Sequence, residues 1–239
     1  MPYTRCLPLL SLIFSIFTSN ALADTKKPYP AFTADYNATW SGGWFPINVD
    51  AKRSLIYLAD GRAKLIFEAD SSIAGLKELS TFRYSDNSIR TGLFKEPDRN
   101  QIFDWQKNLI VNGDNQKVFE GHWNDQVQDN LSYNLQASID LKQGKTQFTY
   151  PVFDRKKIKN FNFQLVGFES LNTHVGTLRT VKIEQLESNK SKKKTYIWFA
   201  TDYDYLLVRL KQKQKDGQTY QIDLTGADIN GQTLRTKSN

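Results

Sequence analysis

Side chains suited to bond-making chemistry are sparse in this sequence. Histidine occurs twice, His122 in FEGHWND and His174 in LNTHVGTL. A zinc site needs several His or Cys ligands at short spacing, and neither histidine has such a companion. Both lie among turn-forming residues, as loop histidines do. The nucleophile elbow G-x-S-x-G and glycine-rich phosphate loops are missing. Carboxylates remain, since a pair roughly 5 to 10 Å apart suffices for glycoside hydrolysis. The candidates are Asp104 beside Trp105, Glu169 in GFESL, and Asp202 and Asp204 in FATDYDY. Spacing alone brings no two of these together, and aspartates in TDYDY equally suit a turn. The expectation is a non-enzymatic protein with no cofactor and no metal site.

Binding chemistry has more to draw on. The five tryptophans are Trp40, Trp44, Trp105, Trp123 and Trp198. Indoles stack on sugars or line apolar cavities, though their commonest role is core filling with the N–H partnered. Trp40 and Trp44 flank two glycines in WSGGWFP, which suggests either a cavity rim or an ordinary strand connection.

The elements that must position these groups are strands. Apolar residues fall on alternate positions in some dozen short runs, beginning with FTADYNATW (32–40) and SLIYLADGRAKLIFEAD (54–70) and ending with LLVRLKQKQKDGQTYQIDL (206–224). Runs of this length, bounded by Asn, Asp, Pro and Gly, predict an all-β barrel or sandwich. One segment differs. In residues 124–144, Val127, Leu131, Leu135 and Ile139 recur at steps of four, with Asn124 or Asp125 able to cap the start and Gly144 the end. This predicts one amphipathic helix, lying across the sheet or closing an end of it.

Two Asp-Gly turns allow register to be derived. A two-residue loop at Asp60-Gly61, with both residues at positive φ, pairs Leu58 with Ala63, Ile56 with Leu65 and Ser54 with Phe67. A three-residue loop at Lys215-Asp216-Gly217, with Gly217 left-handed, pairs Leu210 with Ile222 and Val208 with Leu224. The second register sets Arg209 opposite Asp223 on the solvated face and gathers Leu206, Val208, Leu210, Ile222 and Leu224 on the inner one.

The N-terminus carries an export pattern: Arg5, an apolar stretch from Leu7 to Phe17, and the small-x-small site Ala21-Leu22-Ala23. The apolar stretch is shorter than the ~20 residues a membrane span requires. Cleavage after Ala23 is expected to release residues 24–239 as a single periplasmic β-rich domain. The sole cysteine, Cys6, precedes the apolar stretch, so the mature chain is expected to have no disulfide and no lipidated cysteine. Net charge is +7 for the whole chain, and basic clusters occur at 155–159 and 190–194. Such a balance suits peripheral contact with anionic membrane or glycan; nucleic acid is not expected as a partner of an exported chain.

The C-terminal half also resembles a known family. It shows G-x-E-x-L-x-T-x-x-G as Gly167, Glu169, Leu171, Thr173 and Gly176, then W-x-x-x-D as Trp198 and Asp202, then the strand Leu206-Leu207-Val208-Arg209. With DNLSYNLQ (129–136) and the opening FTADYNATW, these motifs resemble a family of exported bacterial β-rich proteins classed as a domain of unknown function. The departure is Leu207, where members often carry proline. The resemblance implies a periplasmic β-rich domain and assigns no catalytic residues. In outline the architecture is also similar to curved-sheet carriers of lipoproteins or lipids.

The combined expectation is a mainly β protein: a strongly curved antiparallel sheet or flattened barrel with one amphipathic helix packed against its concave side. The function expected is holding an apolar or amphipathic envelope molecule, such as a lipid. The cavity would be lined by Trp40, Trp44, Leu131, Leu135, Trp198, Val208, Leu210 and Ile222. A solid-cored envelope interaction module and a carbohydrate-active enzyme are the alternatives. The space between the helix and the sheet separates the first two: a large apolar void favours a carrier, a packed interior a module.

Overall fold

The computed structural model describes residues 27–42, 45–70, 76–113, 117–120, 126–154, 157–186 and 193–235. Expectations for the export segment, Trp44, His122, Trp123, Asn124 and Asp125 lie outside them.

Alternation in the sequence becomes strands almost throughout. The first meander runs through β1 (Phe32–Ser41), β2 (Ile47–Tyr57), β3 (Ala63–Asp70), β4 (Leu76–Ser85), β5 (Ser88–Glu96), β6 (Arg99–Asp104), β7 (Leu109–Asn112) and β8 (Lys117–Glu120). The one helix among the described residues, α1 (Ser132–Lys142), follows. The second meander comprises β9 (Gln147–Asp154), β10 (Lys157–Thr173), β11 (Gly176–Leu186), β12 (Lys194–Ala200), β13 (Leu206–Lys213) and β14 (Thr219–Ile229), with β15 (Gln232–Arg235) returning along β14. Strand β14 pairs with β1, which joins the two meanders into one antiparallel sheet with β8 and β9 at its ends.

The sheet bends back on itself without closing its ladder. Phe153 of β9 meets Phe103 of β6 edge-on, with ring centroids 6.3 Å apart, and lies 5.7 Å from the Phe119 ring of β8. The chain just before the helix fills the remaining gap. Gln128 N–H donates to the Pro151 carbonyl at 2.8 Å and its own carbonyl accepts from Phe153 N–H at 2.9 Å, while Gln128 Nε2 reaches the Ile89 carbonyl of β5 at 2.9 Å. Three hydrogen bonds from one residue thus tie β9 to the far side of the sheet.

The helix occupies the concave side, but it begins later than expected and is not amphipathic. Its start is organised by Asp129, whose Oδ1 accepts the N–H groups of Leu131 and Ser132, each at 2.8 Å, while Ser132 Oγ accepts Asp129 N–H at 3.1 Å. This reciprocal exchange satisfies amides that a helix N-terminus otherwise leaves open. Val127 precedes it as buried coil, where Gln128 serves the β9 bridge. Leu135, Ile139, Gln136, Ser138 and Asp140 are all buried. A sheet that curls around a helix covers its polar side too, so those side chains must find partners inside. Asp129 Oδ2 accepts Ser80 Oγ at 2.6 Å and Thr91 Oγ1 at 2.9 Å. Gln136 exchanges bonds with Ile89 N–H and the Asn87 carbonyl, and Asp140 accepts the Tyr150 hydroxyl at 2.7 Å.

The turn at Gly217 follows the expected form. Gln214 N–H donates to the Gln218 carbonyl, Gly217 has φ 90°, Leu210 pairs with Ile222, and Arg209 opposes and ion-pairs with Asp223. Val208 and Leu224 are both fully buried. At Gly61 the expected register is one residue out. The loop has three residues as well, with Leu58 N–H donating to the Arg62 carbonyl and only Gly61 at positive φ. Leu55 therefore pairs with Leu65 and Arg53 with Phe67. Leu55 is 0% exposed and Ile56 41%. Either of two adjacent apolar residues could have satisfied the pattern, and a slip of one exchanges the faces.

Candidate ligand groove on the concave wall

The inner face of the central strands extends beyond the region that the helix covers. Along β1 it carries Phe32, Ala34 and Tyr36, all buried, then Ala38 and Trp40, both partly exposed. Ladder pairing sets Val49 and Ile222 on either side of Ala38, and Ile47 and Tyr220 on either side of Trp40. Leu210 adjoins Ile222 on β13. Together these residues form a groove of about 170 Å³. Ile47 is 45% and Tyr220 43% exposed, although burying either would be favourable.

One end of the groove is held in place. Trp40 Nε1 donates to Gln218 Oε1 at 3.2 Å, and the Trp40 and Tyr220 rings lie 6.5 Å apart. Gly42 permits this approach, because a Cβ there would come within 2.8 Å of both Gln218 and Trp40. Phe45 stands outside, strongly exposed.

Of the expected lining residues, the structure brings Trp40, Leu210 and Ile222 together. Leu131, Leu135 and Val208 belong instead to the packed core, so the space between helix and sheet is filled. Trp198 is a correction of another kind, since it faces the opposite side of the sheet. Its ladder partners are Lys182 and Arg209, whereas its neighbour Ile197 pairs with Ile183 and Leu210 on the inner wall. Trp198 Nε1 donates to Glu169, and the Lys182 ammonium lies 4.8 Å from its ring centroid. A bulge on β13 beside Trp198 and the run of apolar residues around it hide this parity from a count along one strand. The sequence reading missed Ile47, Val49 and Tyr220. The signal for Ile47 and Val49 was the alternation in INVDAKRS opposite FTADYNATW, and that for Tyr220 was the parity it shares with Ile222.

The carboxylates raised as catalytic candidates are each engaged separately. Asp104 accepts the amides of Gln106 and Lys107, both at 3.1 Å, as a turn cap. Glu169 holds Trp198, Asp202 pairs with Arg179, and Asp204 lies 2.5 Å from Lys142 Nζ. Arg179 depresses the pKa of Asp202 by hydrogen bonding and charge. His174 is exposed in the β10–β11 turn. A separate polar pocket of about 190 Å³ opens beside the helix, lined by Gln128, Gln136, Asp140, Lys145 and Tyr150 among others.

Of the C-terminal motif residues, Glu169, Leu171, Trp198 and Arg209 lie on the convex side, whereas Leu207 and Val208 are buried in the core. Leu171 and Leu178 of the β10–β11 hairpin are buried, and Thr173 Oγ1 donates to the Gly176 carbonyl at 2.6 Å. Arg209 Nη2 reaches back to the Asn172 carbonyl at 3.4 Å. These motifs organise the outer hairpin, and the D-x-L-S motif starts the helix.

Comparison with known proteins agrees with this architecture. A family model described as a protein of unknown function, DUF3108, matches residues 33–225. No curated protein is significantly similar in sequence. Among solved structures, a beta-barrel-like protein of the DUF1849 domain of unknown function from Brucella abortus matches with TM-score 0.54 and 10% identity, over 84% of this chain and 98% of that one. At that identity the fold is what is shared. The Pseudomonas aeruginosa MucA/MucB complex gives TM-score 0.39 at 9% identity over 84% and 52% of the two chains. The Mycobacterium tuberculosis lipoprotein LppX gives 0.30 at 12% over 86% and 89%. No helix among the described residues is long and apolar enough to cross a membrane.

Proposed function

The chain belongs to the DUF3108 family, and from that premise we propose that it is a non-enzymatic periplasmic protein that holds an apolar or amphipathic envelope molecule, such as a lipid, on the uncovered end of its concave wall. The observation that carries this reading is the groove at Trp40, Ile47, Val49, Leu210, Tyr220 and Ile222. It continues the core-facing side of four strands yet has no element of the described chain packed over it. Burial of such a surface by an acyl chain releases roughly 25 cal/mol for each Å² removed from water. The export pattern supplies the compartment, and basic residues at the hairpin ends favour approach to anionic head groups.

The test is uptake of a fluorescent phospholipid by the purified mature chain, with organic extraction of the same preparation for co-purifying lipid. Uptake that is lost in Ile222→Asp, with the melting temperature retained, supports the reading. No uptake and a lipid-free extract would contradict it.

The second reading is an envelope interaction module. It is favoured by the packed space beneath the helix and by the exposed side chains of Val166 and Phe168 on β10. Periplasmic crosslinking that captures a defined partner through β10, in a chain that takes up no lipid, would select it.

A further inference from the structure

We propose that the end of the sheet at which the groove opens docks onto an anionic lipid bilayer, with Phe45 and Ile47 entering the head-group layer; this inference rests on the binding function proposed above and names the surface on which loading occurs. Because neighbouring strands run antiparallel, the turns after β1, β9, β11 and β13 all lie at this end. The ladder fixes their neighbourhood. Ser41 pairs with Thr219, Thr219 with Lys213, and Lys213 with Lys194 in a continuous last row. Ile47, Trp40 and Tyr220 form the row just inside it, which is the outermost row of the groove. Lys157 and Lys159, from one basic cluster of the sequence, fall at this end as well, as does Lys194 from the other.

Charge at this end is not balanced. Lys194 and Lys213 stand directly opposite each other, an arrangement that disfavours the pairing of their strands. Lys159 is matched by Asp154 and Lys194 by Glu184. Lys157, Lys213 and Lys215 are exposed and have no ion-pair partner among the described residues. At the opposite end, the hairpin turns of the second meander hold Asp202 and Asp204 and neither lysine nor arginine. Apolar side chains reach into water beside the lysines. Phe45 is 81% exposed, and Ile47, Leu186 and Tyr220 are exposed too. Lysines without acids next to apolar side chains without cover match the boundary layer of an anionic bilayer, which offers phosphate to the first and hydrocarbon to the second. An acidic glycan would leave Phe45 in water, and a neutral bilayer would leave the lysines without counter-charge.

The test is co-sedimentation of the purified mature chain with vesicles of phosphatidylcholine, alone or mixed with phosphatidylglycerol, and with a soluble acidic polysaccharide as competitor. Uptake of a fluorescent phospholipid from micelles is measured on the same preparations. The mixed vesicles are expected to bind the chain, the neutral ones far less, and high salt to weaken the binding. Lys213→Glu is expected to bind mixed vesicles at least about tenfold more weakly, since each lysine at such a surface contributes roughly fivefold and the reversal counts twice. It should melt at the same or a higher temperature, because it relieves the contact with Lys194. Phe45→Ser is expected to lose several-fold, and Lys107→Glu, which lies at the other end in the β6–β7 turn, to bind more tightly than Lys213→Glu. Equal binding to neutral and mixed vesicles would overturn the proposal. So would equal losses in Lys213→Glu and Lys107→Glu, or unchanged binding in Phe45→Ser. Displacement from mixed vesicles by the polysaccharide at matched charge would favour a glycan and overturn the bilayer. Phospholipid uptake by a chain that binds no vesicle would overturn the docking end and leave the carrier reading standing. The expected vesicle binding in a chain that takes up no phospholipid would support the docking end and sink the groove's function instead.

Discussion

Individual buried polar residues carry much of the specificity of this fold. Asp129 serves four hydrogen-bond donors at once: two helix amides, Ser80 and Thr91. Asp129→Ala orphans all four in a buried site, and a loss of at least ~3 kcal/mol is expected by chemical denaturation. Glu78 makes a different prediction. It sits on β4 opposite Phe67, and burial first, then the charges of Glu96 and Asp129, push its pKa up to about 7. The folded chain therefore holds this proton more tightly than the unfolded chain, whose carboxyl titrates near 4.5. The contribution of Glu78 favours folding at pH 4.5 and below and is lost as pH rises to about 7, by an amount on the order of 2–3 kcal/mol. Glu78→Gln should remove that part of the slope in stability measured from pH 4.5 to 8, and be the more stable chain at pH 8. An unchanged slope would show that Glu78 does not titrate in that window.

At the scale of elements, legibility followed the redundancy of the pattern. The Gly217 hairpin was readable because only one loop length aligned Leu210 with Ile222 and also placed Arg209 across from Asp223. Gly217 lies at φ 90° with nothing within 4 Å of an added Cβ, so Gly217→Ala tests backbone conformation alone. A cost of ~1–2 kcal/mol is expected by thermal denaturation. The Gly61 hairpin was misread by one residue because Leu55 and Ile56 are adjacent and both apolar. That slip would also have turned the buried Arg53 to the outside. The helix was legible as a helix, but its burial on nearly every face was not. Step-of-four spacing locates one apolar stripe, and only the curvature of the sheet explains why Gln136 and Asp140 are enclosed as well. Leu135 is packed in that enclosed space, and Leu135→Ala should cost ~2–5 kcal/mol by the same measurement.

Across the whole molecule, the two sides of the sheet divide their roles. The convex side carries the motif residues Glu169, Leu171, Trp198 and Arg209, which partner one another or their neighbours. The concave side divides again into a region filled by the helix and a region left open at Trp40, Leu210 and Ile222. Sequence periodicity named Leu210 and Ile222 as inward-facing and the Trp-Gly-Gly-Trp cluster pointed to Trp40, but neither could separate them from Val208 and Leu135, because a sequence pattern gives a face and not its cover. The open region is the part that the proposed function uses, and its position relative to the tryptophans makes it directly measurable. The decisive experiment is fluorescence quenching by a lipid brominated along its acyl chain, using two variants that each keep one tryptophan and carry phenylalanine at the other four. The variant retaining Trp40 is expected to be quenched saturably, and the variant retaining Trp198 to keep its emission. Saturable quenching of Trp198 with Trp40 unaffected would place the lipid on the convex side and contradict the account.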